Sequence, residues 1–199
     1  MSHRNVLLIS EDYLKTESFL DDNVSGKYLL TAIKMAQDIE LQSIIGTNLL
    51  HSIQKKVFDN VIELEDNWRY KDLLDNYIQP FLLYQVLSEI VIPISYKMSN
   101  FGVMQSSDEK DYAVDNKQIN LVKKFYFDKA NVYKERLQNW LIYNRTEFPE
   151  LLTFDFPKDV YPNLYSSSGC GIWLGSYRGK VMPDSRYSNR GLDLPSKKR

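Results

Sequence analysis

The sequence predicts a mainly α protein: a helical bundle of four to five helices with a long C-terminal helix, followed by an extended irregular C-terminal arm. Three observations carry that prediction. Apolar residues recur at steps of three and four between residues 27 and 144, strand signals are absent from the same stretch, and glycine and proline concentrate after it. Residues 1–145 hold three of the eight glycines and two of the seven prolines, and the last 54 residues hold the other five of each. Glycine raises the entropy cost of ordering the backbone and proline lacks a donor, so together they favour irregular chain. The boundary falls between Arg145 and Thr146, giving a helical domain over 1–145 and an arm over 146–199.

The elements follow in order. Ser10 caps a short helix through Tyr13 and Leu14, its hydroxyl accepting an orphan amide of the first turn. Asp21-Asp22-Asn23 and Ser25-Gly26 read as a loop. From about Lys27, Leu29, Ala32, Ile33, Ala36 and Ile39 mark one helical face, which Leu41, Ile44 and Ile45 extend to Gly46, a C-cap. Thr47 or Asn48 then caps a helix through Leu49, Leu50, Ile53 and Val57. Asn67 opens the next helical region, and Pro80 either starts a new helix or kinks the old one. Leu83, Val86, Leu87, Ile90 and Ile94 keep helical spacing across Pro93 until Ser99-Asn100-Phe101-Gly102 ends it. Residues 104–114 read as a polar surface loop. Last, Ile119, Val122, Tyr126, Ala130, Tyr133, Leu137, Trp140 and Asn144 step by 3, 4, 4, 3, 4, 3 and 4. Capped by Asp115 or Asn116, that helix makes a rod of about 43 Å.

Composition narrows the function classes. A chain of 199 residues suits one core, and 43% hydrophobic with 26% charged residues fits a globular body. A net charge of −1 excludes coating nucleic acid by bulk attraction. One cysteine, Cys170, excludes an internal disulfide framework, and two histidines, His3 and His51, leave little for zinc or imidazole acid–base chemistry. The apolar run Val6-Leu7-Leu8-Ile9 is too short for a signal-peptide core of roughly 7–15 residues. Ile90-Val91-Ile92-Pro93-Ile94 falls far below the ~20 residues that span a bilayer. A protein made in the cytoplasm, without a membrane segment, is the expectation.

No motif carries catalysis. Gly169-Cys170-Gly171 with Gly175 lacks the phosphate-loop spacing and its lysine, so a tail turn explains it better. His51 sits among Leu49, Leu50 and Ile53, where a structural histidine is the plainer reading. Asp21-Asp22, Glu63-Glu65-Asp66 and Asp108-Glu109-Asp111 could serve a metal, but solvated loops use such clusters too, and that is the plainer reading. No enzyme activity, cofactor or metal is expected. Core packing accounts for Tyr126, Tyr133 and Trp140. Phe125 and Phe127 lie away from that stripe and are candidates for a subunit interface.

From Ser176 to Arg199 there are seven basic and two acidic residues, a balance of +5 that leaves −6 for the rest. Large apolar groups are interleaved with those charges and gain nothing without a surface to bury them. The economical reading is a docking arm on a protein partner, with Trp173, Leu174 and Tyr177 as apolar anchors and Arg178, Lys180 and Arg186 on an acidic rim. The alternative is a nucleic-acid-binding protein that uses the same basic tail.

The stretch from Ile33 to Leu49 resembles the first-helix signature of head–tail connector (adaptor) proteins of tailed bacteriophages, particularly ring proteins of crAss-like phages. There an Ala-Gln dipeptide, here Ala36-Gln37, precedes a polar-apolar mix and an Ile-Ile-Gly-Thr-x-Leu segment, here Ile44 to Leu49. Asp22-Asn23-Val24, Tyr77-Ile78-Gln79-Pro80 and Tyr133 to Leu137 also look alike, so the resemblance covers roughly residues 8–145. It implies a structural virion protein, a homo-oligomeric ring usually of twelve subunits, at the head–tail junction. Its implied partners are the portal protein and the next tail or ring protein, with genomic DNA passing through the channel without sequence specificity. The C-terminal segments of such proteins commonly embrace the portal, a use that suits this arm.

Overall fold

A computed structural model of the chain describes residues 6–99, 102–105, 116–152 and 160–164. The body is a mainly α bundle. Its helices are α1 (Glu11–Glu17), α2 (Gly26–Met35), α3 (Gln42–Phe58), α4 (Trp68–Leu73), α5 (Gln79–Ser95), α6 (Asn116–Tyr143) and α7 (Pro149–Leu152). Two π-helical turns, Ala36–Leu41 and Leu74–Ile78, fuse α2 to α3 and α4 to α5 without breaking the rod. The second lies just before Pro80. Proline cannot donate to the carbonyl four residues back, and a wider turn absorbs that loss where a straight helix would break.

Helix α5 is central. Phe81, Leu82, Leu83, Val86, Leu87 and Ile90 are buried on most of its circumference, as expected for a helix enclosed by others. It packs against α2 and most extensively against α6. The run Glu65–Ser95 is long and apolar enough to cross a membrane by length and composition, yet half of that apolar window is buried inside this body. Two stacked ring pairs, Tyr77 on Trp140 (centroids 4.7 Å apart) and Tyr84 on Tyr133 (5.1 Å), join α5 and its leading turn to α6. As Tyr77 pairs late in α6 and Tyr84 earlier, the two helices run antiparallel. Tyr126, Tyr133 and Trp140 thus pack on the core, in agreement with the sequence pattern.

Ser10 caps α1, its Oγ accepting from the Tyr13 amide at 3.0 Å. Elsewhere the structure corrects the sequence reading. Strands are present: β1 (Tyr96–Ser99) pairs antiparallel with β2 (Gly102–Gln105), with Tyr96 opposite Gln105 and Ser99 opposite Gly102. Four-residue strands give too few alternations to register as a pattern. β2 also claims the first residues of the expected polar loop.

Gly46 is a kink rather than a left-handed cap. Its φ of 79° and ψ of 161° lie in a region essentially reserved for glycine, and helix continues on both sides. Thr47 does not cap. Its hydroxyl accepts from the Val160 amide at 2.9 Å and from Gln42 at 2.9 Å.

The compositional boundary at Arg145-Thr146 is not where packing ends. Phe148, Leu151 and Leu164 are core residues. Residues 160–164 cross α3 at the kink, where Thr47 N donates to Val160 O and Asn163 N to Ser43 O, both at 3.1 Å. Pro162 keeps residues 160–164 out of regular structure, but irregular chain packs well once its amides find partners.

Candidate functional site

A cluster of polar and titratable side chains joins α3, α4 and α7. The Glu150 carboxylate accepts from Ser52 Oγ at 2.5 Å and from the Tyr70 hydroxyl, 3.0 Å from each carboxylate oxygen. Burial, then the Glu150 charge, pushes the Tyr70 hydroxyl up to about 12, so it stays a proton donor across the neutral range. Lys56 Nζ lies 4.4 Å from the Tyr70 ring centroid, and Phe148 meets the same ring edge-on. The cluster is a fastening: a short C-terminal helix is held to two helices far from it in sequence. His51 lies half-buried on α3.

A second constellation holds the N-terminal segment. Buried Gln37, only 1% exposed, sits in the first π turn. It accepts from Leu8 N at 3.0 Å and donates to Val6 O at 3.1 Å, replacing a strand partner with one amide side chain. Gln54 also donates to Val6 O, and Gln79 to Leu8 O. Leu8 can therefore be buried with its backbone N–H and C=O satisfied. Beside this segment lies an open, mainly apolar cleft of about 530 Å³, whose lining includes Leu7, Ile9, Tyr13 and Leu30. Its polar groups are Ser10, Glu11 and Gln79.

Neither constellation was legible in the sequence. Glu150 is 98 residues from Ser52 and 80 from Tyr70, and the glutamines that meet at residues 6–8 come from three helical segments. The available signal was a glutamine at an otherwise apolar helical position, as Gln37 and Gln54 are.

The residues singled out from sequence divide between inside and outside the described structure. Phe125 and Phe127 are 54% and 44% exposed. At 100° per residue they project about 160° apart around α6, onto opposite flanks. Lys129 lies over the rings of Phe125 and Tyr84. Asp21 and Asp22 are exposed between α1 and α2, and Lys15 Nζ donates to the Asp22 carbonyl at 3.0 Å. Glu63, Glu65 and Asp66 are exposed before α4, and Glu63 pairs with Lys71. No group of three or more His, Cys, Asp or Glu side chains among the described residues is placed to hold a metal ion. His3, Cys170, Asp108, Glu109, Asp111 and the arm residues Trp173, Leu174, Tyr177, Arg178, Lys180 and Arg186 lie outside the described residues.

Compared with known proteins, residues 41–153 match DUF6712, a family of unknown function. That span runs from the end of the first π turn through α7, more than half of the chain. No curated protein and no solved structure matches.

Proposed function

We propose a structural role for this chain, which belongs to the family of unknown function DUF6712: it is a subunit of a homo-oligomeric ring between the portal and the tail of a bacteriophage virion. In that role it extends the DNA channel as a head–tail connector and acts as a scaffold rather than an enzyme. The observation that carries this reading is α6. One 28-residue helix presents half-exposed phenylalanines on opposite flanks while its third side packs on α5. Two different outward apolar flanks suit a subunit that meets a different surface on each side, which is the requirement for a head-to-tail ring.

Charge supports the channel. With the basic tail set apart, the remaining chain carries −6, and like charge lets a passing duplex slide. Under this reading the arm residues from Trp173 to Arg186 embrace the portal. The likeness of residues 33–49 to connector signatures supports the same assignment.

The test is mass by light scattering on the purified full chain, alone and with a portal protein. The expected result is a ring of about twelve 23.4 kDa copies, about 280 kDa, or co-elution with the portal. A monomer that ignores the portal and shifts single-stranded DNA at low salt would instead support nucleic-acid binding through the basic tail.

A further inference from the structure

Two separate surfaces of the bundle are matched in both charge and apolar content. One runs along the middle of α6, from Lys123 to Lys134. At 100° per residue, Lys123, Lys124, Phe127 and Lys134 share an arc of about 100°, and neither Asp128 nor Glu135 falls within it. The other is the connection from α3 to α4. There Phe58, Leu64 and Trp68 are about half exposed, and the exposed carboxylates Asp59, Glu65 and Asp66 stand among them. No basic residue occurs between positions 58 and 68; the adjoining Arg69 lies over the Trp68 ring, 4.6 Å from its centroid, and is itself paired with Glu147, while Lys71 is paired with Glu63. Scattered single apolar residues need no explanation, but a group mixed with charges of one sign marks a contact surface.

The two surfaces do not meet within one copy. Arg69, next to Trp68, forms an ion pair with Glu147 at 3.1 Å, which fixes the acidic connection beside the C-terminal end of α6. Lys124 lies 19 residues before Tyr143, on the order of 29 Å back along the helix, and Lys134 nine residues before it, on the order of 14 Å.

We propose that the acidic-apolar connection at residues 58–68 of one copy docks on the basic-apolar flank of α6 around Phe127 of a second copy. Phe58, Leu64 and Trp68 cover Phe127, while Asp59, Glu65 and Asp66 face Lys123, Lys124 and Lys134. Three carboxylates meet three ammonium groups around an apolar centre. The two patches differ, so the contact is head-to-tail and repeats until rotation closes it into a ring. This interface rests on the reading of the chain as a self-assembling subunit.

The test uses the full chain and two variants, Lys123→Glu/Lys124→Glu and Glu65→Lys/Asp66→Lys, with sedimentation velocity from 50 to 500 mM NaCl (roughly threefold in Debye length). Circular dichroism checks that each variant folds. The expected result is that wild type associates, more weakly at high salt, and each variant alone associates about tenfold or more weakly. An equimolar mixture of the two variants regains association, because each reversed patch then meets a complementary one on the other variant. If wild type associates and the variants match it, or the mixture does no better than its parts, this interface is wrong and the ring reading stands. A wild-type chain that stays monomeric at every concentration and with the portal removes both. If Lys123→Glu/Lys124→Glu instead abolishes binding of single-stranded DNA by a monomer, the flank belongs to nucleic acid.

Discussion

Replacing Gly46 with alanine probes the point where the returning chain is locked to the bundle. Two costs add. The backbone at φ 79° and ψ 161° is open to glycine and strained for any L side chain, by about 1–3 kcal/mol. A Cβ built there would lie 2.8 Å from Pro162 Cδ and 2.9 Å from Pro162 N. Pro162 is held by flanking hydrogen bonds at Val160 and Asn163, and Gln138 Nε2 also donates to Asn163 O at 2.8 Å. The neighbour therefore cannot swing away as an exposed side chain would, and overpacking of this kind costs about 1–3 kcal/mol more. The expected loss is about 2–6 kcal/mol, or roughly 4–24 °C in Tm for a chain of this size. Urea and thermal unfolding measure it, and amide exchange at Thr47 and Asn163 should accelerate. Gly26→Ala is the control. The Cβ there meets the Glu11 carboxylate at 2.6 Å, the far end of a surface side chain that can rotate aside. That substitution should be neutral or stabilise by up to about 1 kcal/mol, since it lowers unfolded-state entropy. A Gly46→Ala protein within about 2 °C of wild type would refute the claim that the kink requires glycine.

Two further outcomes are expected. The Tyr70 hydroxyl is raised to about 12 from a reference of 10.0, so the folded state holds its proton where the unfolded chain has released it. That contribution to stability is complete below pH 10 and is lost as pH rises through about 12. Stability of wild type should therefore fall more steeply than that of Tyr70→Phe over this window, read by denaturant midpoints at stepped pH, and parallel curves would contradict the assignment. Gln37→Leu should cost about 2–3 kcal/mol, because the buried Leu8 N–H loses its acceptor and Val6 O keeps only Gln54. Amide exchange at Leu8 reads it directly, and unchanged protection there would show that the N-terminal segment is held by something else.

Local pattern was enough for what is local. The long periodic run from Ile119 to Trp140 gave α6 and its buried face, because a helix 28 residues long repeats its apolar spacing many times over. Ser10 was legible as a cap because its partner is three residues away. Phe125 and Phe127 were legible as outliers from the stripe, and both are about half exposed.

Longer-range decisions were not legible. Composition placed a boundary after Arg145, but Phe148, Leu151 on the short helix α7 and Leu164 in irregular chain are all buried, since an apolar side chain buries wherever the fold offers it a surface. Gly46 read as a cap from its neighbours alone, and only Pro162, 116 positions later, turns the site into a kink with a fixed occupant. The hydrogen bonds of Glu150 and Gln37 span tens of residues, and no periodicity encodes them. Spacing over one or two turns marked the longer helices and their apolar faces, but not the four-residue α7 inside the stretch read as irregular. The tertiary structure decided where the chain returns, which polar groups become fastenings and which apolar flanks stay uncovered, because those depend on what the fold brings within a few ångströms.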